Sequence, residues 1–227
     1  MKPTLAFLFM LLVPLFGSGQ NIATTDSVMV SSVNTPRSLR GSWVNLRGGI
    51  MLPDFYKRSS EAVRLPVLQK PYLGWQAGLS VEVAHSRWHG SRIEVSFVRK
   101  GANELFAENG HRLESTTRLS YAQVALLPVI VKARGERFSP FLGIGGYGAY
   151  LLNATHQVRL NGAPAVPDKN LPNHFRKLDY GWTVGAGVYL GRRPLELRYE
   201  SGLTDVFREG YLTTPVRNQA VSLLFSL

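Results

Sequence analysis

Cysteine is absent from the 227 residues. That excludes disulfides, thiol nucleophiles, thiolate metal or iron–sulfur sites and cysteine lipidation. Long apolar runs are scarce too. Beyond the N-terminal segment the longest is Val124 to Val131, interrupted by Pro128, far short of the ~20 residues of a membrane helix. Acidic residues are few: 15 Asp and Glu face 26 Lys and Arg, a formal net charge of +11. Such an excess suits nucleic acid, anionic lipid or a phosphorylated surface. Yet the basic residues form no stripe. The four long polar connections nearly balance their charge, while Arg134, Arg137, Arg192 and Arg193 load short turns. No nucleic-acid partner is expected.

Alternation is what the chain has in abundance. Trp182, Val184, Ala186, Val188 and Leu190 share one parity; Gly181, Thr183, Gly185, Gly187 and Tyr189 share the other. After a short GRRP, Leu195, Leu197 and Tyr199 alternate with Glu196, Arg198 and Glu200. Period two followed by a tight turn marks a β-hairpin. Eight such stretches run over 43–52, 72–84, 92–101, 118–132, 138–152, 179–190, 195–203 and 217–227. Most have about ten residues, the length of a tilted strand crossing a bilayer. Connections 53–71, 102–117, 153–178 and 204–216 are long and polar; 85–91, 133–137 and 191–194 are short. This points to an all-β, eight-stranded antiparallel up-and-down transmembrane β-barrel, with short periplasmic turns and long extracellular loops. A secreted soluble β-sandwich is the competing architecture, but nothing in it sorts loops by length.

The N-terminus agrees with export. MKPTLAFLFMLLVPLFGSGQ has one early lysine, an apolar run from Leu5 to Phe16 and small residues at Gly17, Ser18 and Gly19. That is the layout of a cleaved signal peptide. The expected organisation is a signal peptide over 1–19, a flexible periplasmic lead-in over 20–41 and an outer-membrane barrel over 42–227.

If the greasy parity meets lipid, the charged parity points inward. That places Arg47, Glu82, Glu94, Lys100, Glu196, Arg198 and Glu200 in the lumen, with Arg118 added from a strand whose parity is ambiguous around Pro128. An eight-stranded barrel is only wide enough inside for side chains, and unpaired charges there are costly. The expectation is a closed, ion-paired lumen, with Gly181, Gly185 and Gly187 making room for long charged arms. Trp43, Tyr72, Trp75, Tyr150, Tyr180, Trp182, Tyr189 and Phe225 lie near strand ends, where aromatic girdles form.

The stretches GWQAGLSVEV, RIEVSFVRKGA, YAQVALLPVIVKA, FLGIGGYGAYLL, DYGWTVGAGVYL, LELRYESGLTDVF and the closing NQAVSLLFSL carry a family likeness. Over residues 43–227 the chain resembles the PorT-like outer-membrane β-barrel proteins. The resemblance implies the fold and an outer-membrane location, and through the family's namesake a link to protein secretion.

No chemistry is expected. GIGGYGAYL and GAGVYLG lack a Walker pattern and a strand-to-helix context, so no cofactor is assigned. His85 and His89 fall in a short turn, and His111, His156 and His174 in long loops. None pairs with a serine and an acid on the lipid-facing parity of a strand; only His111 with Glu114 and Ser115 allows a triad to be drawn. No catalytic and no metal residue is assigned. The expected role is non-enzymatic: a monomeric barrel in contact with outer-membrane lipid and lipopolysaccharide, presenting loops to envelope or secretion proteins. A lipid A-modifying outer-membrane enzyme is the alternative.

Overall fold

The computed structural model describes residues 41–57, 68–70, 72–108, 111–133, 138–168, 171–191, 193–208 and 215–227. The expected leader, 1–19, and the lead-in up to residue 40 lie outside these. The described elements are β1 (Gly41–Lys57), β2 (Leu68–Lys70), β3 (Gly74–Ala84), β4 (His89–Glu108), β5 (His111–Lys132), β6 (Phe138–Leu160), β7 (Val166–Asp168), β8 (Leu178–Leu190), β9 (Arg193–Asp205) and β10 (Val216–Ser226).

Eight of these strands close a ring. β1 pairs with β3 (Leu46 opposite Leu79) and also with β10 (Ile50 opposite Leu223). Between those two pairings the sheet runs β3–β4–β5–β6–β8–β9–β10, each neighbour antiparallel. A single closed up-and-down sheet replaces the sandwich alternative, and closure removes the open edges. The ring lies wholly within residues 37–227.

Burial is inverted relative to a water-soluble barrel. Leu46, Ile50, Leu79, Val95, Leu142, Ile144, Leu197 and Leu223 are all exposed. Their strand neighbours Arg47, Glu82, Glu94, Glu196 and Arg198 are buried. Contiguous apolar surface on this scale has no stable place in water; a hydrocarbon solvent resolves it. Among the described residues no helix is long and apolar enough to cross a membrane.

The expected short turns and both ends of the ring share one rim. Gly191 closes the β8–β9 turn with a φ of +67°, a left-handed conformation glycine tolerates. At the opposite rim the strands run further than the alternation suggested. The expected loop 102–117 is mostly strand, with β4 and β5 paired out to Glu108 and His111. Within 153–178, β6 continues to Leu160 and then turns at Asn161 and Gly162, both at positive φ. Asn-Gly suits such a turn because both residues accept that conformation. β2 pairs with β4 and β7 pairs with β6, flanking this extension. At about 3.3 Å per residue, the 23 residues of β6 span roughly 75 Å along its path. An apolar band is only ~25 Å tall.

A bulge in β5 sets the inner face of that strand. In β5 the register shifts between Leu126 and Val129. Ala125 and Leu127 are buried, then Ile130; odd residues face inward before Pro128 and even residues after it. The expected bend at Pro128 is therefore a bulge that turns Lys132 into the lumen.

Candidate functional site

The lumen holds the densest polar chemistry of the chain. Period-two strands aim alternate residues at it, so each strand contributes a column. β1 supplies Arg47; β3 supplies Glu82; β4 supplies Arg92, Glu94 and Lys100; β9 supplies Glu196, Arg198 and Glu200.

Glu196 sits at the centre, 0% exposed. Its Oε2 accepts from Arg47 Nη2 at 2.6 Å and from Arg92 Nη1 at 2.6 Å. Its Oε1 accepts from Arg198 Nε at 2.7 Å. Arg198 then grips Glu94, Nη1 to Oε2 at 2.6 Å and Nη2 to Oε1 at 2.8 Å. Arg92 reaches the other way, Nη2 to Glu82 Oε2 at 3.0 Å, while Tyr189 and Lys132 donate to Glu82 Oε1. Three guanidiniums and three carboxylates thus form one lattice, whose forked, charge-assisted bonds are the strong class. Charges so deeply buried require such mutual satisfaction.

Aromatic and polar tiers sit on either side. Toward the short-turn rim, Lys132 Nζ lies 4.1 Å from the Tyr189 ring centroid and 5.0 Å from that of Trp43. Toward the extended rim, Lys100 pairs with Glu200 at 3.0 Å and lies 4.4 Å from the Tyr147 ring centroid. Gln123 donates to Glu200 at 2.9 Å. Beyond them, buried Asp179 accepts from Thr204 at 2.7 Å and Asn218 at 2.9 Å.

Seven of the eight expected lumen charges face inward and interlock. Arg118 does not. Thr117, Leu119 and Tyr121 take the inward parity of β5, which puts Arg118 on the outer face and partly exposed. Its strand's parity was hidden by the Pro128 bulge. Three further charges join instead: Arg92, Lys132 and Asp179. Arg92 shares the even parity of Glu94 and Lys100, and Asp179 that of Gly181 and Thr183, so both were legible by extension. Lys132 was not, because it lies past the bulge. With them the described lumen carries five acids (Glu82, Glu94, Asp179, Glu196, Glu200) and five bases (Arg47, Arg92, Lys100, Lys132, Arg198).

Gly185 makes the room expected of it: a Cβ there would stand 2.3 Å from Glu196 Oε1. Gly181 and Gly187 answer mainly to a neighbouring backbone, at 2.1 Å from the Ser201 and Leu195 carbonyls. Of the expected girdle residues, Trp75, Tyr150, Tyr180, Trp182 and Phe225 are exposed on the outer face. Trp43 and Tyr189 instead flank Lys132 inside.

His85 and His89 share the turn between β3 and β4, with ring centroids 5.2 Å apart. His85 Nε2 lies 2.9 Å from Ser91 Oγ, and His156 Nδ1 3.0 Å from Thr117 Oγ1. His111 Nδ1 lies 3.0 Å from Asn161 Nδ2, and Glu114 pairs with Arg112 at 2.9 Å. The His111, Glu114 and Ser115 triad is therefore not assembled. Among the described residues no cluster of His, Asp and Glu has the makings of a metal site.

A family model described as an outer membrane protein beta-barrel domain matches residues 34–208. No curated protein matches the sequence. Among solved structures, Neisserial surface protein A is similar, with 13% identity over 82% of this chain and 98% of that one, at a TM-score of 0.43. So is Ail, the attachment invasion locus protein of Yersinia pestis, with 12% identity over 83% and 100% and a TM-score of 0.39. OprG from Pseudomonas aeruginosa shows 10% identity over 82% and 96%, with a TM-score of 0.38.

Proposed function

The chain belongs to the outer membrane protein beta-barrel domain family, and from that premise we propose that it is a non-enzymatic, plugged barrel of the outer membrane. Its lumen serves as a structural core, and its working surface is the extended β4–β5–β6 rim with the connections around it. The short-turn rim faces the periplasm and the extended rim the exterior. Within this reading the partners are envelope or secretion proteins met at that rim, as the likeness to PorT-like barrels implies.

One observation carries the proposal. The lattice of Arg47, Arg92 and Arg198 with Glu82, Glu94 and Glu196 joins β1, β3, β4 and β9, strands on different sides of the ring. A pore needs an open aqueous path; here that path is filled by mutually bonded side chains. The test is conductance of the purified full-length protein in planar bilayers. Only brief or negligible current is expected. Large steady conductance would overturn the plugged reading.

A further inference from the structure

Arg118 and Arg99 are charges of the barrel wall that the lumen does not absorb. On the outer face of the ring, Arg99 of β4 stands opposite Ser120 of β5, and Arg118 stands opposite Gly101. The two arginines are therefore diagonal neighbours, roughly 7–8 Å apart along the sheet, within reach of one shared group. Gly101 between them has no side chain to fill the notch. A Cβ there would lie 2.2 Å from the Thr117 carbonyl, so the gap is fixed by close strand approach. Neither guanidinium has a carboxylate partner among the described residues, and Arg99 Nε is shielded from solvent without a hydrogen-bond acceptor.

Their depth is informative. Trp75 is the register partner of Arg99 and is exposed, with its ring 5.3 Å from that of Phe97. Val95 and Val124 continue the apolar band below. Above lie Asn103, Thr116, Asn153 and Thr155, with Thr116 bonded to Asn103 at 3.0 Å. The arginines thus sit where hydrocarbon gives way to headgroups, at the extended rim. A lipid-facing arginine costs little at that depth, and the forked guanidinium matches phosphate oxygens in two bonds at once.

We propose that Arg99 and Arg118 form a phosphate clamp on the outer wall of the barrel, and that its occupant is the phosphorylated sugar headgroup of lipid A in the outer leaflet. This rests on the reading that the extended rim faces the exterior. Ser120 and Asn153, register partners beside the pair, supply hydroxyl and amide groups for the sugar.

The test uses purified full-length protein in detergent and native mass spectrometry with three probes: diphosphoryl lipid A, its dephosphorylated form and phosphatidylglycerol. Wild type should retain diphosphoryl lipid A in preference to both others. The double variant Arg99→Gln/Arg118→Gln should hold it at least about tenfold more weakly, and Arg99→Lys/Arg118→Lys should fall between. Both residues face outward, so the variants should keep the heat-dependent gel shift of a folded barrel. Equal retention by the glutamine variant would overturn the clamp. Equal retention of phosphatidylglycerol by wild type would overturn lipid A as its occupant. Failure of the orientation is read separately, by surface labelling of an epitope at Gly162.

Discussion

Arg198 and Glu94 meet as a two-bond fork, at 2.6 and 2.8 Å, although they lie 104 residues apart on strands that never pair. Side-chain bonds of this kind hold opposite walls of the ring together, a task usually left to apolar packing. Removing one partner leaves the others buried and uncompensated. Arg198→Ala should cost on the order of 3–5 kcal/mol, measured by urea unfolding of the detergent-folded barrel. The companion Arg198→Met/Glu94→Gln, which removes both charges of the fork, should lose less than Arg198→Ala. Unchanged stability of Arg198→Ala would show that the lattice adds nothing.

Gly185 offers a gentler probe of the same lattice. It is the register partner of Arg198, and an added methyl would overlap the Glu196 carboxylate. Glu196 cannot simply swing aside, because Arg47, Arg92 and Arg198 all hold it. Gly185→Ala should lower the unfolding midpoint although alanine suits a strand no worse than glycine. Gly148→Ala, where a Cβ meets nothing within 4 Å, is the control and should leave the midpoint unchanged or slightly raised. Equal effects of the two would sink the steric argument.

Topology is tested at Gly162. With Asn161 it forms an exposed turn at the extended rim, with open space around it. An epitope inserted there should be labelled on intact cells. Labelling only after the outer membrane is permeabilised would reverse the assigned orientation.

Much of this architecture was legible because period two is a strong signal where one face meets lipid. In β8 and β9 the greasy residues Trp182, Val184, Leu195 and Leu197 never exchange parity with Thr183, Glu196 and Arg198. Seven lumen charges followed from that rule alone. The rule weakens in two places. Beyond the membrane band both faces of a strand can be polar, so Thr116, Thr117, Gln157 and Arg159 carried no alternation and were read as loop. In β5, Val124 to Val131 is apolar on both parities, because the inward residues Ala125, Leu127 and Ile130 pack in the apolar part of the lumen. The Pro128 bulge then reversed the parity unseen, so Arg118 was misplaced and Lys132 was missed.

That bulge makes the sharpest prediction. Deleting Pro128 removes the extra residue of β5 and leaves a regular strand, with Leu127 in, Val129 out and Ile130 in, so later side chains keep their faces. Val131, which is exposed, should stay outward; Ile130, which is fully buried, should stay inward. The chain has no cysteine, so single replacements report without interference. In the otherwise native barrel, Val131→Cys should react with a membrane-soluble maleimide and Ile130→Cys should not. In the Pro128-deleted background the two should keep those reactivities. Lys132 would still face Glu82, so their ion pair should survive the deletion. If the reactivities exchange, Pro128 is not the extra residue, and the bulge is not what aims Lys132 at Glu82.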